Sequence, residues 1–245
     1  MDLSLINAGD ELHLTERFLS EGAWSNSWSY HRSSSKKQHE IWAHGNDLLL
    51  KTNPSQQDFA AALIQFQRAT ELRDKLLDKL YGFEKIPGRP NPGKYAIMSD
   101  LGIIRPTLKL RLRELRNKLM HDPDELHITQ DECTLLADAA WYYLRVTDRI
   151  AEQCSDEIHY DLGSSANGQS GLTVKVEPVS WKLDAAGFLA HGHILEAPKA
   201  AGLILRVRRC EFQRYNNSLK FAGELIGPPS SLWLVIQNFF DESIL

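Results

Sequence analysis

Apolar positions along this chain follow a helical period first and a strand period later. A helix is expected over His39–Lys51. Thr52-Asn53-Pro54-Ser55 breaks it, and Ser55 caps the next. That helix, Ser55 to Tyr81, buries Phe59, Leu63, Phe66, Leu76, Leu77 and Leu80, and its alanines allow a neighbour close. Arg68, Glu71, Arg73, Asp74, Lys75, Asp78 and Lys79 are expected on its solvated face, laced by local ion pairs. Residues 82–98 are rich in proline and glycine and read as a loop. From Pro106 the leucines Leu108, Leu112, Leu115 and Leu119 recur at steps of four, three and four. Asp122-Pro123 ends this helix, because a residue before proline is pushed out of the α region. Thr129-Gln130-Asp131-Glu132 is a capping box. The helix it opens runs to about Cys154 and packs through Leu135, Leu136, Ala139, Ala140, Tyr143, Val146, Thr147 and Ile150.

The pattern then changes. The serine-glycine stretch Ser164–Gly171 is expected as flexible, and the linker between domains is placed at residues 156–170. Beyond it, Leu172–Val176, Phe188–Leu195, Leu203–Tyr215, Ser218–Ile226 and Leu232–Phe240 read as strands, with a tight turn at Asn216-Asn217. The predicted fold class is therefore α+β in two domains. Residues 39–155 form a bundle of about four helices, and residues 171–245 a small antiparallel all-β barrel or sandwich. Residues 1–38 form an N-terminal arm. In it Leu3, Leu5, Ile6, Leu12 and Leu14 suit a strand pair or a short helix, and Trp24, Trp28 and Tyr30 anchor it to the core.

Composition changes this picture little. The chain has 245 residues, of which 42% are hydrophobic and 24% charged, as in an ordinary soluble globular protein. A net charge of −4 excludes a polycation. Charge is nevertheless uneven: Arg105, Lys109, Arg111, Arg113, Arg116 and Lys118 face only Glu114 in sequence. Such a stripe suits RNA or a nucleotide, and it is equally what a solvated helix face looks like. Cys133, Cys154 and Cys210 lack metal-ligand spacing, which points to reduced thiols, to a cytoplasmic protein and to no bound metal or cofactor. The longest clean apolar run, Leu232–Ile236, is too short to span a membrane.

Three local patterns bear on chemistry. Gly88–Lys94 has the outline of a phosphate-binding loop, but Tyr95 stands where Ser or Thr is needed, and two prolines remove backbone donors. Nucleotide hydrolysis is excluded on that ground, while Arg89 and Lys94 remain able to reach a substrate phosphate. His191-Gly192-His193 on a strand would point both rings to one face, yet a third ligand is missing. Arg206, Arg208 and Arg214 share the parity of one strand face, which fits nucleic acid or solvent.

The third helix carries the strongest pattern. At about 100° per residue, Arg116, Asn117, Met120 and His121 fall within an arc of roughly 140°, turned about 140° from the leucine stripe. Asn117 and His121 are one turn apart and can touch. His121 ends the helix, where the macrodipole favours the imidazolium.

Arg116-Asn117, then His121 after three further residues, followed by one more amphipathic helix, resembles the HEPN superfamily over roughly residues 40 to 154. The resemblance implies a helical bundle that dimerises, with a composite site between motif helices that cuts RNA without a metal. It also implies a toxin or antiviral effector. His121 would move protons, Arg116 would hold charge on the phosphorane-like transition state, and Asn117 would orient the histidine or the substrate. The expected product carries a 2′,3′-cyclic phosphate. Arg113, Lys118, Arg89 and Lys94 are the expected substrate-binding cations. Members paired with nucleotidyltransferase antitoxins carry a tyrosine two residues after the histidine; Pro123 stands there, so that arrangement is not expected. Other members of the superfamily are non-catalytic assembly modules. The alternative reading is such a module, with the β domain binding a protein or nucleic-acid partner.

Overall fold

Both expected N-caps form, each as a capping box. In the computed structural model, which describes residues 2–15, 23–30, 36–121, 128–165, 168–195 and 202–244, Ser55 and Asp58 cap helix α2 reciprocally, and Thr129 and Glu132 cap α5. The helices are α1 (Lys36–Leu49), α2 (Gln56–Tyr81), α3 (Lys94–Asp100), α4 (Pro106–His121), α5 (Gln130–Glu152) and α6 (Pro229–Ile244). The strands are β1 (Glu11–His13), β2 (Ala23–Tyr30), β3 (Gln153–Ser165), β4 (Gly168–Glu177), β5 (Lys182–Ala190), β6 (Ile204–Gln213) and β7 (Ser218–Ile226). Several helices thus accompany one antiparallel sheet. Among the described residues, no helix is long and apolar enough to cross a membrane.

Helices α1, α2, α4 and α5 pack together. Gly45 of α1 is required at its crossing with α2: a Cβ there would meet Gln65 Cβ and Phe66 Cε1 at 2.9 Å. One core fills this end of the bundle, from Phe59, Leu63 and Phe66 of α2, Leu112 and Leu115 of α4, and Cys133, Leu136 and Ala140 of α5. Burial pushes the Cys133 thiol up to about 12, so it behaves as a small apolar side chain. A second, larger core joins the other ends of α2 and α5, through Leu77, Tyr81, Ile150 and Ala151, to α6 and the inner face of the sheet. Tyr81 ties these layers together: its hydroxyl donates to Ile150 O at 2.6 Å, and its carbonyl accepts from Trp181 Nε1 at 2.6 Å.

The sheet departs from expectation in four ways. Its strand order is β1-β6-β7-β5-β4-β3-β2, a single open sheet with β1 and β2 at its edges rather than a barrel or sandwich. The N-terminal arm supplies both edges: Glu11–His13 pairs with Ile204–Arg206, and Ala23–Tyr30 pairs with β3. The expected linker 156–170 is instead the β3–β4 hairpin, which leaves α5 without a break at Gln153, with residues 166–167 outside the described set. Ile158 and Tyr160 are buried while Glu157, His159 and Asp161 point outward, so only one side of the strand is apolar. Finally, the expected strand Leu232–Phe240 is the middle of α6. Trp233, Ile236, Phe239 and Phe240 lie on one helical face and are buried, while Leu234 is exposed. A short apolar run does not distinguish strand from helix, but Pro229 at its start favours the helix.

His191–His193 form a 3-10 turn after β5, so the shared strand face that a two-histidine site needs does not exist. Among the described residues, no group of three or more His, Cys, Asp or Glu is placed to hold a metal. The turn at Asn216-Asn217 forms as expected, with Asn217 in the left-handed region at φ 47°.

Candidate functional site

Helix α4 owes its position to its leucines. Leu112 and Leu115 are buried against α2 and α5; the side chains of Leu108 and Leu119 lie outside the described set. Burying that stripe turns the opposite side of the helix outward. Asn117, Lys118 and Arg113 are exposed. The helix runs unbroken through Arg116 and ends at His121, so Arg116, Asn117 and His121 lie on its last turns. The side chains of Arg116, Met120 and His121 lie outside the described residues.

The substrate-binding cations expected from sequence separate into two groups. Arg113 and Lys118 project from α4 and have no ion-pair partner among the described residues. Their neighbour Arg111 reaches Glu114 at 3.6 Å and Glu132 at 3.8 Å. Arg89 and Lys94, by contrast, are engaged within their own loop. Arg89 donates to Ile86 O at 3.0 Å, and the Lys94 ammonium lies 5.9 Å from the centre of the Tyr95 ring. That loop is fixed at Gly88, where a Cβ would lie 1.6 Å from Pro229 O. The phosphate-loop outline Gly88–Lys94 follows a 3-10 turn at Phe83–Lys85 rather than a strand, and the short helix α3 begins at its last residue, Lys94.

Arg113 lines a cleft between α2 and α4 with Gln67, Glu71, Tyr95 and Leu110. The cleft holds about 40 Å³, room for a water or two and not for a base.

The sequence reading missed a polar belt between the two cores. Arg73 and Asp74, expected in a solvated face, are buried. Arg73 Nη1 donates to Leu144 O at 3.0 Å and to Thr147 Oγ1 at 2.9 Å, and Nη2 donates to Asp148 Oδ1 at 2.7 Å. His39 Nε2 bonds the same carboxylate at 2.9 and 3.0 Å. Burial opposes charge on Asp148, but the bonds from Arg73 and His39 outweigh it and hold the carboxyl below its usual range. Asp74 accepts from Tyr95 Oη at 2.7 Å and from the Tyr143 hydroxyl. Burial, then the Asp74 charge, push both phenols above their ordinary range, so both stay protonated donors. A signal was present in the sequence: Phe59, Leu63, Phe66, Thr70, Arg73 and Leu77 recur at steps of three and four, which puts Arg73 in the buried stripe. Two residues expected in the packing face of α5 err the other way, since Leu135 is 62% exposed and Val146 43%.

The basic strand face also differs from a free cationic surface. Arg206 donates to Glu11 Oε1 at 2.9 Å, and Arg208 to Asp184 Oδ1 at 2.6 Å and to Gly223 O at 2.8 Å. His159, also on the outer side of the sheet, bridges strands by bonding Ser27 Oγ at 2.9 Å and Thr173 Oγ1 at 3.0 Å. No protein-family model, curated protein or solved structure matches the chain.

Proposed function

We propose that this chain is a metal-independent endoribonuclease of HEPN type, with α1, α2, α4 and α5 as the HEPN-like bundle and RNA as substrate. One observation carries the reading. Helix α4 is continuous to His121, its Leu112 and Leu115 are buried, and Asn117 of the motif stands exposed with Arg113 and Lys118 beside it. A single copy offers one histidine, whereas cleavage needs a base and an acid. Two copies about a two-fold axis would supply both.

His121 of one copy takes the 2′-OH proton, and the 2′ oxygen attacks phosphorus. The bond from phosphorus to the 5′ oxygen breaks, and His121 of the partner subunit gives that oxygen a proton. The products are a 2′,3′-cyclic phosphate and a 5′-hydroxyl. Arg116 holds the non-bridging oxygens with its forked donors, and Asn117 orients the histidine or the RNA. Arg113 and Lys118 bind flanking phosphates. Arg89 and Lys94 contribute less, because their own loop already engages them. The resemblance suggests a toxin or antiviral effector.

A second reading has one observation in its favour. Leu135, Tyr142 and Val146 form an exposed apolar stripe on α5, which suits a non-catalytic assembly module. Expression in a host cell separates the two. A nuclease slows growth, and His121→Ala relieves the effect at equal protein level. Equal growth of wild type and variant favours the module.

A further inference from the structure

Beyond the RNA-directed face, an apolar cavity of about 320 Å³ lies beside the start of α4, between the turn at Gly102–Arg105 and helix α5. Its walls come from Ile103, Ile104, Leu112, Tyr143 and Val146, with Tyr142 also in the lining. The Tyr143 hydroxyl is turned away to Asp74. Among the described lining residues, Arg105 is the single charged one. It is exposed and has no ion-pair partner among the described residues. The volume falls within the range of small-molecule sites, and at roughly 30 Å³ per water-sized unit it accepts about ten non-hydrogen atoms.

We infer that this cavity binds a small amphiphilic monoanion, an apolar body of about ten non-hydrogen atoms ending in a carboxylate. The apolar walls take the body. Arg105 takes the head, because a guanidinium matches a carboxylate with two parallel donors and is weakly hydrated. The absence of any acid among the described lining residues leaves nothing to repel that head. A neutral or cationic amphiphile of equal length would gain the walls without the ion pair. Tyr142, 63% exposed, and Val146, 43% exposed, are large apolar side chains left open to solvent on this flank. The inference does not depend on RNA cleavage, since Arg113 and Lys118 are not in the lining of this cavity, which comes mostly from α5 and the turn at Gly102–Arg105.

The test is calorimetric titration of the full chain with decanoate, decanol and decylammonium, each below its aggregation concentration. The expected result is saturable binding of one decanoate per chain, roughly tenfold tighter than decanol, with decylammonium weakest. Arg105→Gln should erase the preference for decanoate while leaving decanol binding intact. Val146→Trp, at a half-open position where a folded variant is expected, should weaken both ligands at least about tenfold by filling the mouth. Thermal melts of both variants report that they are folded. Absent or unsaturable binding would overturn the inference. So would equal affinity for the three ligands, or unchanged decanoate affinity in both folded variants.

Discussion

Helix α4 and strand β6 each carry three arginines, and acids hold two of those on β6 but, among the described side chains, only Arg111 on α4. On β6, sheet register sets an acid beside the base: Arg206 stands across from Glu11 on one side and Glu224 on the other. Arg208 closes on Asp184 of β5, reaching across β7. On α4 a basic side chain can reach only residues three or four positions away or a neighbouring helix. Glu114 and Glu132 occupy Arg111, and Arg113 and Lys118 have no acidic partner among the described residues. The sheet thus holds Arg206 and Arg208 against acids, while α4 keeps Arg113 and Lys118 open to anions. Arg73 is a third case, fully buried and committed to the fold.

That ordering sets the sizes of effect expected from substitution. Arg73→Met should cost most, about 3–5 kcal/mol of stability in urea unfolding, because it removes the buried charge that pairs with Asp148 and one donor to the Leu144 carbonyl. A loss under about 1 kcal/mol would show that the belt is dispensable. The same belt contributes to acid sensitivity. Asp148 has its folded value depressed, so its contribution is fully present above the unfolded carboxylate range near pH 4 and is lost as pH falls through the folded value. Asp148→Asn should therefore lower stability at neutral pH and flatten the decline below about pH 4, as followed by unfolding at a series of pH values.

Smaller effects separate the two surfaces. Arg113→Gln with Lys118→Gln, in a His121→Ala background that cannot cut, should weaken single-stranded RNA binding and reduce the slope of log affinity against log salt by about 1.4, two phosphate contacts at roughly 0.7 each. Fluorescence anisotropy at several salt concentrations measures it. Arg206→Gln with Arg208→Gln should change least, leaving RNA affinity within about twofold and stability within about 1 kcal/mol, because exposed pairs contribute little. A large loss of RNA binding in this second pair would reverse the comparison and move the RNA surface to the sheet.

The helical end of the molecule was legible because its information is local. Ser55 and Thr129 announce their helices through residues three positions on, and the leucines of α4 repeat within one element. The sheet was less legible because its partners are distant. Nothing near Glu11 indicates that it will pair with Arg206, and the polar residues of β3 look like a linker until Ile158 and Tyr160 are seen facing the core. Helix α6 was misread because its apolar run is nearly continuous, which hides the period. For the candidate site, the sequence places Arg116, Asn117 and His121 on one helix, and α4 has that continuity. Arg73 and Asp74 are hidden among surface charges because the local charge pattern of α2 masks the core register they occupy.

RNA cleavage by the purified chain in excess EDTA, with analysis of the 3′ ends, tests the metal-free composite site most directly. Wild type should cut and leave 2′,3′-cyclic phosphate ends, and Arg116→Ala and His121→Ala should each lose at least about a hundredfold in rate. Cleavage that EDTA abolishes, or that persists in folded Arg116→Ala and His121→Ala variants, would contradict it.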